Sequence, residues 1–328
     1  MPSGRRPLSA PVREPRNKRS KLAGVIALRA DSVRRTVREK QRSRTAEAAA
    51  AVRAAHVLYD RPVIFADPFA IRLTSRTWRV ICRSAFLHWL VVTKMLGPLR
   101  PAHGQILGRA RYAEDRLDEA IKRGISQYVI LGAGLDSFAF RRPDVAGAVR
   151  VYEVDHAASQ RSKRARLADL GLRVPENLEF VSVDLENGSL REALATSTYS
   201  PSDQAFFSWL GTVPYLTLRA FFRTLELIRS VARPGSEIVF DYGISKRLLA
   251  LGDVATLERL ERFTQRRGEP LIDKHLDPET LASEVGAFGF ELLENLSPEE
   301  QKARYFTNRC DDLRPLAWSY FAHFRVTG

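Results

Sequence analysis

The stretch Tyr128-Val-Ile-Leu-Gly132-Ala-Gly134-Leu-Asp136-Ser137 decides the fold, because it reads as a buried strand running into a glycine-hinged turn. Val129, Ile130 and Leu131 form a short continuous apolar run, the pattern of a central parallel strand covered on both faces. Gly132 and Gly134 allow the chain to turn through φ > 0 and to bring bare backbone against a ligand. A second apolar strand, Val149–Val154, ends in Asp155, 21 residues past Gly134. That spacing suits a carboxylate accepting hydrogen bonds from a ribose, so a nucleoside-containing cofactor is expected.

The turn also bears on which cofactor. A dinucleotide fold wants a third glycine and a long helix whose N-terminus holds a pyrophosphate. Here Ser137 stands at the third position and Pro143 follows six residues later, leaving room for one or two helical turns. S-adenosylmethionine, which has no pyrophosphate to cradle, fits that turn; NAD fits it poorly.

Working outward, the chain of 328 residues is long enough for one large domain with additions. Its charge is uneven. Residues 1–44 hold 14 Lys/Arg against Glu14, Asp31 and Glu39, so +11 of the chain's +14 lies there and residues 45–328 are nearly neutral. Such a basic tail is expected to be disordered, and nucleic acid or an anionic surface is the partner its charge would suit. Cys82 and Cys310 are the only cysteines and show no zinc-type spacing, so neither a disulfide framework nor a metal is expected. The run Leu22–Leu28 lacks a convincing cleavage site, and Ala85–Val92 is too short to span a bilayer. A soluble, cytoplasmic protein is expected.

Residues 45–126 read as mostly helical. Asp67-Pro68-Phe69-Ala70 restarts the chain, and Gly97-Pro98 and Arg100-Pro101 are breakers. Ile106, Ala110, Ala113, Leu117 and Ile121 then mark one face of a helix that Gly124 ends. This region is expected to cap a sheet domain over 127–328, where strands and helices alternate as in a doubly wound α/β fold. Strands are expected at Leu178–Val183, Ala205–Leu210 and Glu237–Phe240, with a helix capped by Thr217 and facing the core through Leu218, Phe221, Phe222, Leu225 and Ile228. A helical insertion follows near 244–287. The last two strands, Phe290–Asn295 and Trp318–Val326, suggest an antiparallel edge.

The ordered set Asp67-Pro68-Phe69-Ala70, Arg109-Ala-Arg111-Tyr112, Leu131-Gly-Ala-Gly-Leu-Asp-Ser137, Glu153-Val-Asp155, Val183-Asp184-Leu185 and Arg304-Tyr305-Phe306 resembles the leucine carboxyl methyltransferase family. The resemblance is nearest to its bacterial branch of S-adenosylmethionine-dependent methyltransferases and extends over roughly residues 45–328. It implies a class I methyltransferase fold, Rossmann-like, with a mostly parallel seven-stranded sheet. It also implies that Gly132, Ala133 and Gly134 approach the donor's amino-acid portion and that Asp155 holds the ribose, with Glu153 as an alternative ligand. Asp184 would accept from the adenine amino group and Leu185 would offer backbone to the ring. Arg111, or Arg109 beside it, would pair with the donor carboxylate, a task suited to a planar guanidinium. One departure stands out: many relatives carry a glutamate where this chain has Leu210, which puts one donor contact in doubt.

The expected activity is O-methylation of a carboxylate or phenol on a small, polyketide-like molecule by in-line transfer. A carboxylate is already ionised at pH 7 and needs no base, in keeping with a motif set that nominates none. Tyr215 is a candidate for steering the acceptor. Two other readings remain open. Nucleic-acid methylation would use the basic tail, although Thr212-Val213-Pro214-Tyr215 lacks the amide or acid that holds a target amine. A catalytically inactive donor-binding module would follow from the Leu210 departure.

Overall fold

The computed structural model describes residues 45–185, 187–266, 271–272, 276–309 and 311–328. The basic segment 1–44 and Cys310 lie outside the described residues. The chain enters on helix α1 (45–59) and two short helices, α2 (Ala70–Leu73) and α3 (Arg76–Arg83). Helix α4 (Ala85–His88) runs into a π-helical turn, Trp89–Met95, closed by the Leu96 N–H on the Val91 carbonyl at 2.9 Å. Helix α5 (Arg100–Lys122) leads into the sheet. The Arg100-Pro101 pair, expected to break the chain, instead forms the first turn of α5, where proline's missing N–H has no partner to lose.

Seven strands follow: β1 (Gln127–Leu131), β2 (Arg150–Asp155), β3 (Leu178–Ser182), β4 (Ala205–Trp209), β5 (Glu237–Gly243), β6 (Phe290–Leu296) and β7 (Ser319–Val326). Between them lie α6 (Phe138–Arg141), α7 (Ala157–Asp169), α8 (Leu190–Leu194), α9 (Leu218–Val231), α10 (Leu251–Gln265), α11 (Leu281–Gly286) and α12 (Pro298–Tyr305). The strand order is β3-β2-β1-β4-β5-β7-β6. The first five strands are parallel, and β7 pairs antiparallel with both β5 and β6. The antiparallel edge is therefore present, with β7 inserted one place in from the border.

The pleat explains the layers. Val129 and Leu131 of β1 face α8, α9 and α11 in one core cluster; Tyr128 and Ile130 face α5 and α6 in another. Every β1 position is buried, as a strand covered on both faces requires. Tyr112, Ala113, Leu117 and Ala120 of α5 pack on this sheet, so α5, read from the sequence as part of the cap, is a layer on the sheet. Thr217 caps α9 through its side-chain oxygen, which accepts from the Ala220 N–H at 3.2 Å. Phe221, Leu225 and Ile228 are fully buried, whereas Leu218 in the first turn is exposed, too near the helix end to reach the sheet.

The short α6 has a physical cause. After one turn the chain reaches Pro143, which starts a separate 3-10 turn, Pro143–Val145.

Candidate active site

Two motifs that are distant in sequence meet at the glycine turn. Gly132 (φ 68°) and Gly134 (φ 52°) both occupy the left-handed region. A Cβ on Gly132 would lie 2.8 Å from Thr212 Cγ2, so the turn and the loop after β4 are in close approach. The Gly134 N–H donates to Asp155 Oδ2 at 2.7 Å, and the His156 N–H donates to Oδ1 at 2.6 Å. Two main-chain donors thus orient the Asp155 carboxylate at the end of β2. Each oxygen keeps a lone pair for a ribose hydroxyl.

Behind the turn, Ser137 Oγ donates to Asp67 Oδ2 at 2.6 Å, and Arg53 Nε donates to the same oxygen at 2.8 Å. Asp67 Oδ1 accepts from the Ala70 N–H at 2.8 Å. Burial alone would raise the Asp67 carboxyl, but Arg53 and Arg141 outweigh it and hold the group below its usual range. The Asp-Pro-Phe-Ala and Leu-Asp-Ser motifs are therefore one device, which clamps the cap to the turn. The Arg-Tyr-Phe motif is structural as well: Arg304 reaches Glu294 at 2.6 Å, and Glu294 also accepts from the Tyr112 hydroxyl at 2.8 Å.

Beside the turn lies a cavity of about 400 Å³, in the range of small-molecule sites. Its walls are mainly apolar, with Trp78, Val92, Leu96, Leu257, Phe263 and Trp318 prominent. Along α5 the lining residues run from Arg100 through His103 and Ile106 to Arg109, a rise of about 13 Å along the helix. The cavity is thus elongated, with a polar group at each end.

At the sheet end, Arg109 Nη1 meets Asp241 Oδ2 at 3.1 Å; Asp241 is buried at the close of β5 and also accepts from the Gly211 N–H at 2.6 Å and from Gln105 Nε2 at 3.2 Å. Gln105 Oε1 has no hydrogen-bond partner there, nor does the buried Thr212 Oγ1 beside Gly132. Tyr215 lines this cavity too. At the far end are Asp60, His88, Arg100 and His103. The Asp60 carboxylate binds Arg100 at 3.2 Å and His56 Nδ1 at 2.8 Å. His56 Nε2 accepts from the Ile64 N–H, so the proton sits on Nδ1.

The His103 ring has no hydrogen-bond partner among the described residues. Burial, and then the Arg100 charge, lower its pKa to about 4, so it is neutral at pH 7. The unfolded chain binds this proton near the ordinary value of 6.5, so the folded state loses stability as pH falls from 6.5 towards 4. Between pH 7 and pH 5 the loss is about 2 kcal/mol from this group alone. Urea unfolding should show that extra loss in the wild type and not in His103→Asn; equal losses would contradict the depressed pKa.

Of the residues nominated from sequence, Arg109 and Tyr215 line the cavity, whereas Gly132, Ala133, Gly134, Asp155, Asp184 and Leu185 sit at or just past the ends of β1, β2 and β3 and are not among its lining residues. Three nominations are corrected. Arg111 lies two residues, about 200° of helix, from Arg109 and is exposed, bonded to Asp115 at 2.8 Å. Glu153 shares the face of Asp155 but lies one pleat deeper, buried in an ion pair with Lys163 at 2.5 Å, where burial pushes its carboxyl up. That ion pair braces the turn, since Lys163 Nζ also donates to the Asp136 carbonyl at 2.6 Å. Leu210 packs into the apolar layer with α5 and α6 and offers a donor no polar contact.

Asp241, Gln105 and His103 were missed. For Asp241 the signal was an acid inside the apolar run Ile238-Val-Phe-Asp241-Tyr242. For His103 and Gln105 there was none, because their role depends on what α5 faces.

Comparison with known proteins agrees with this architecture. The "Putative S-adenosyl-L-methionine-dependent methyltransferase YktD" of Bacillus subtilis (strain 168) is 30% identical over 302 residues, covering 88% of this chain and 99% of that protein. A Mycobacterium avium (strain 104) protein of the same description is 33% identical over 207 residues, 60% of this chain and 65% of that one. Among solved structures, a methyltransferase-type protein from Thermobifida fusca YX shares the fold with a TM-score of 0.52 at 16% identity, over 79% of this chain and 92% of that one. Because residues 46–229, over half of its length, match the leucine carboxyl methyltransferase family, and YktD matches along most of it, this chain belongs to that family.

Proposed function

We propose that the protein transfers a methyl group from S-adenosylmethionine to an oxygen, a carboxylate or phenol, of an elongated and mostly apolar small molecule. The donor would lie across the ends of β1, β2 and β3, with its ribose on Asp155, its adenine near Asp184 and Leu185, and its carboxylate on Arg109. The observation that carries the acceptor class is the apolar cavity running along α5 from the Arg109 end. Bound across those strand ends, S-adenosylmethionine would supply an electrophilic methyl group. The chain's own part is to hold donor and acceptor in line and to exclude water, which supplies much of the rate. Tyr215, which lines the cavity, would orient the acceptor oxygen.

The apolar walls favour a small molecule over a nucleic acid, whose phosphates would call for a basic channel. The test begins with calorimetric titration of the full chain with S-adenosylmethionine, using NAD and NADP as controls. Labelled methyl transfer to dodecanoic acid and to an alkylphenol of similar length then separates the two acceptors. Methanol released from the product by mild base marks a carboxyl ester; a base-stable product marks a phenol ether. Donor binding with no transfer to any oxygen acceptor would leave the inactive binding module as the better reading.

A further inference from the structure

A second surface borders the cavity through shared lining residues. From Pro68 to Ala113 the chain has no acidic residue, yet it carries Arg72, Arg76, Arg79, Arg83, Lys94 and three further arginines. Within that span, Val80, Phe86, Trp89, Leu90 and Met95 are exposed large apolar residues, with Phe86 at 65% and Met95 at 68%. Phe86 and Trp89 stand side by side with ring centroids 6.3 Å apart, and Lys94 Nζ lies 5.4 Å from the Trp89 ring. A stretch that exposes aromatic and aliphatic side chains and carries cations but no acid has the composition of an interfacial, membrane-lying segment. No helix among the described residues is long and apolar enough to cross a membrane, so such a segment would lie on a surface.

A groove next to it is lined by charges of the same sign. Met95, Leu96 and Leu99 form a groove of about 420 Å³ with Phe263 and with Arg259, Arg262 and Arg266 of the α10 end. Arg262 meets Glu258 only at 3.7 Å, and Arg259 and Arg266 have no ion-pair partner among the described residues. Leu96, Leu99 and Phe263 line both the groove and the main cavity, so the two spaces adjoin.

We propose that this face docks on an anionic lipid bilayer, with Phe86, Trp89 and Met95 entering the interface and Arg259, Arg262 and Arg266 meeting lipid phosphates. Residues 1–44 carry +11, the same sign as the face. Docking there brings the groove that adjoins the cavity to the lipid, a source of elongated apolar acceptors. That last consequence rests on the proposed function; the docking does not.

The test uses the full chain and vesicles of phosphatidylcholine, alone or mixed with phosphatidylglycerol, read by co-flotation. Two exposed triple variants, Phe86→Ser/Trp89→Ser/Met95→Ser and Arg259→Glu/Arg262→Glu/Arg266→Glu, are first shown by thermal melting to fold. The wild type should bind the anionic vesicles, weakly at high salt, and each variant should lower the partition at least about tenfold. Donor binding measured by calorimetry should be unchanged in both variants, which keeps a failure of docking distinct from a failure of the methyl-transfer reading. Wild-type-like binding by the variants would assign any attachment to residues 1–44 and overturn the proposal. So would equal binding to neutral vesicles, or a wild-type dimer that both variants break.

Discussion

Asp155→Ala is expected to weaken S-adenosylmethionine binding by about 100-fold or more while the protein stays folded. The reason is that the carboxylate has two tasks. Toward the cofactor it would accept ribose hydroxyls, and a hydrogen bond to a charged acceptor contributes about 1.5–3 kcal/mol, so losing two costs at least two decades of affinity. Toward the protein it accepts the Gly134 and His156 N–H groups at 2.7 and 2.6 Å, so its removal also loosens the turn against which the donor would lie. Stability should change little, because Asp155 is only half-buried and water can replace it at those N–H groups. Asp155→Asn should fall between, since the amide retains an acceptor oxygen without the charge. Calorimetry with S-adenosylhomocysteine reads the effect without turnover. A folded Asp155→Ala protein with wild-type affinity would remove Asp155 from the site.

The second large effect is expected at Arg109, and it should appear in stability as well as in binding. Asp241 is 1% exposed, and Arg109 is its only ion-pair partner among the described residues. Arg109→Ala would leave that carboxylate with the Gly211 N–H and Gln105 alone, and stranding one member of a buried pair costs about 3–5 kcal/mol. Arg109 is partly open to the cavity, so the lower end of that range is expected in urea unfolding. Donor affinity should fall as well, since the guanidinium that would meet the donor carboxylate is gone. Arg109→Lys separates the two roles. An ammonium preserves the charge beside Asp241, so stability should recover more than binding, which needs the planar fork. The double change Arg109→Met/Asp241→Asn should be more stable than Arg109→Ala, because no charge is left stranded. If Arg109→Ala were as stable as the wild type and bound donor normally, the Arg109–Asp241 pair would have no part in the site.

Much of this protein was legible from local pattern. The parallel strands showed as continuous apolar runs, the turn as Gly132 and Gly134, and the brevity of α6 as Pro143, because each of these rests on backbone geometry that neighbouring residues dictate. The doubly wound α/β class and an acid at the end of β2 followed from the order and spacing of such signals, and the class I topology from the family resemblance. The readings that needed correction share a cause. Glu153 and Asp155 have the same periodicity and charge, yet one lies beneath α7 against Lys163 and the other at the strand end. Arg109 and Arg111 look interchangeable as text, and helical rotation alone sends one into the cavity and the other to the surface.

By itself, then, the sequence determined the sheet and the glycine turn, since short-range sterics and hydrophobic periodicity carry that information along the chain, and its ordered motifs carried the family resemblance. Only the tertiary structure decided which charges are buried together, that histidines far apart in sequence gather around Asp60 and Arg100, and that a basic apolar face borders the cavity. Those facts depend on contacts between residues tens to more than a hundred positions apart, such as Arg109 with Asp241 and Asp67 with Ser137. Pairings of that kind leave no period in the chain, because they arise from the packing of whole elements against one another.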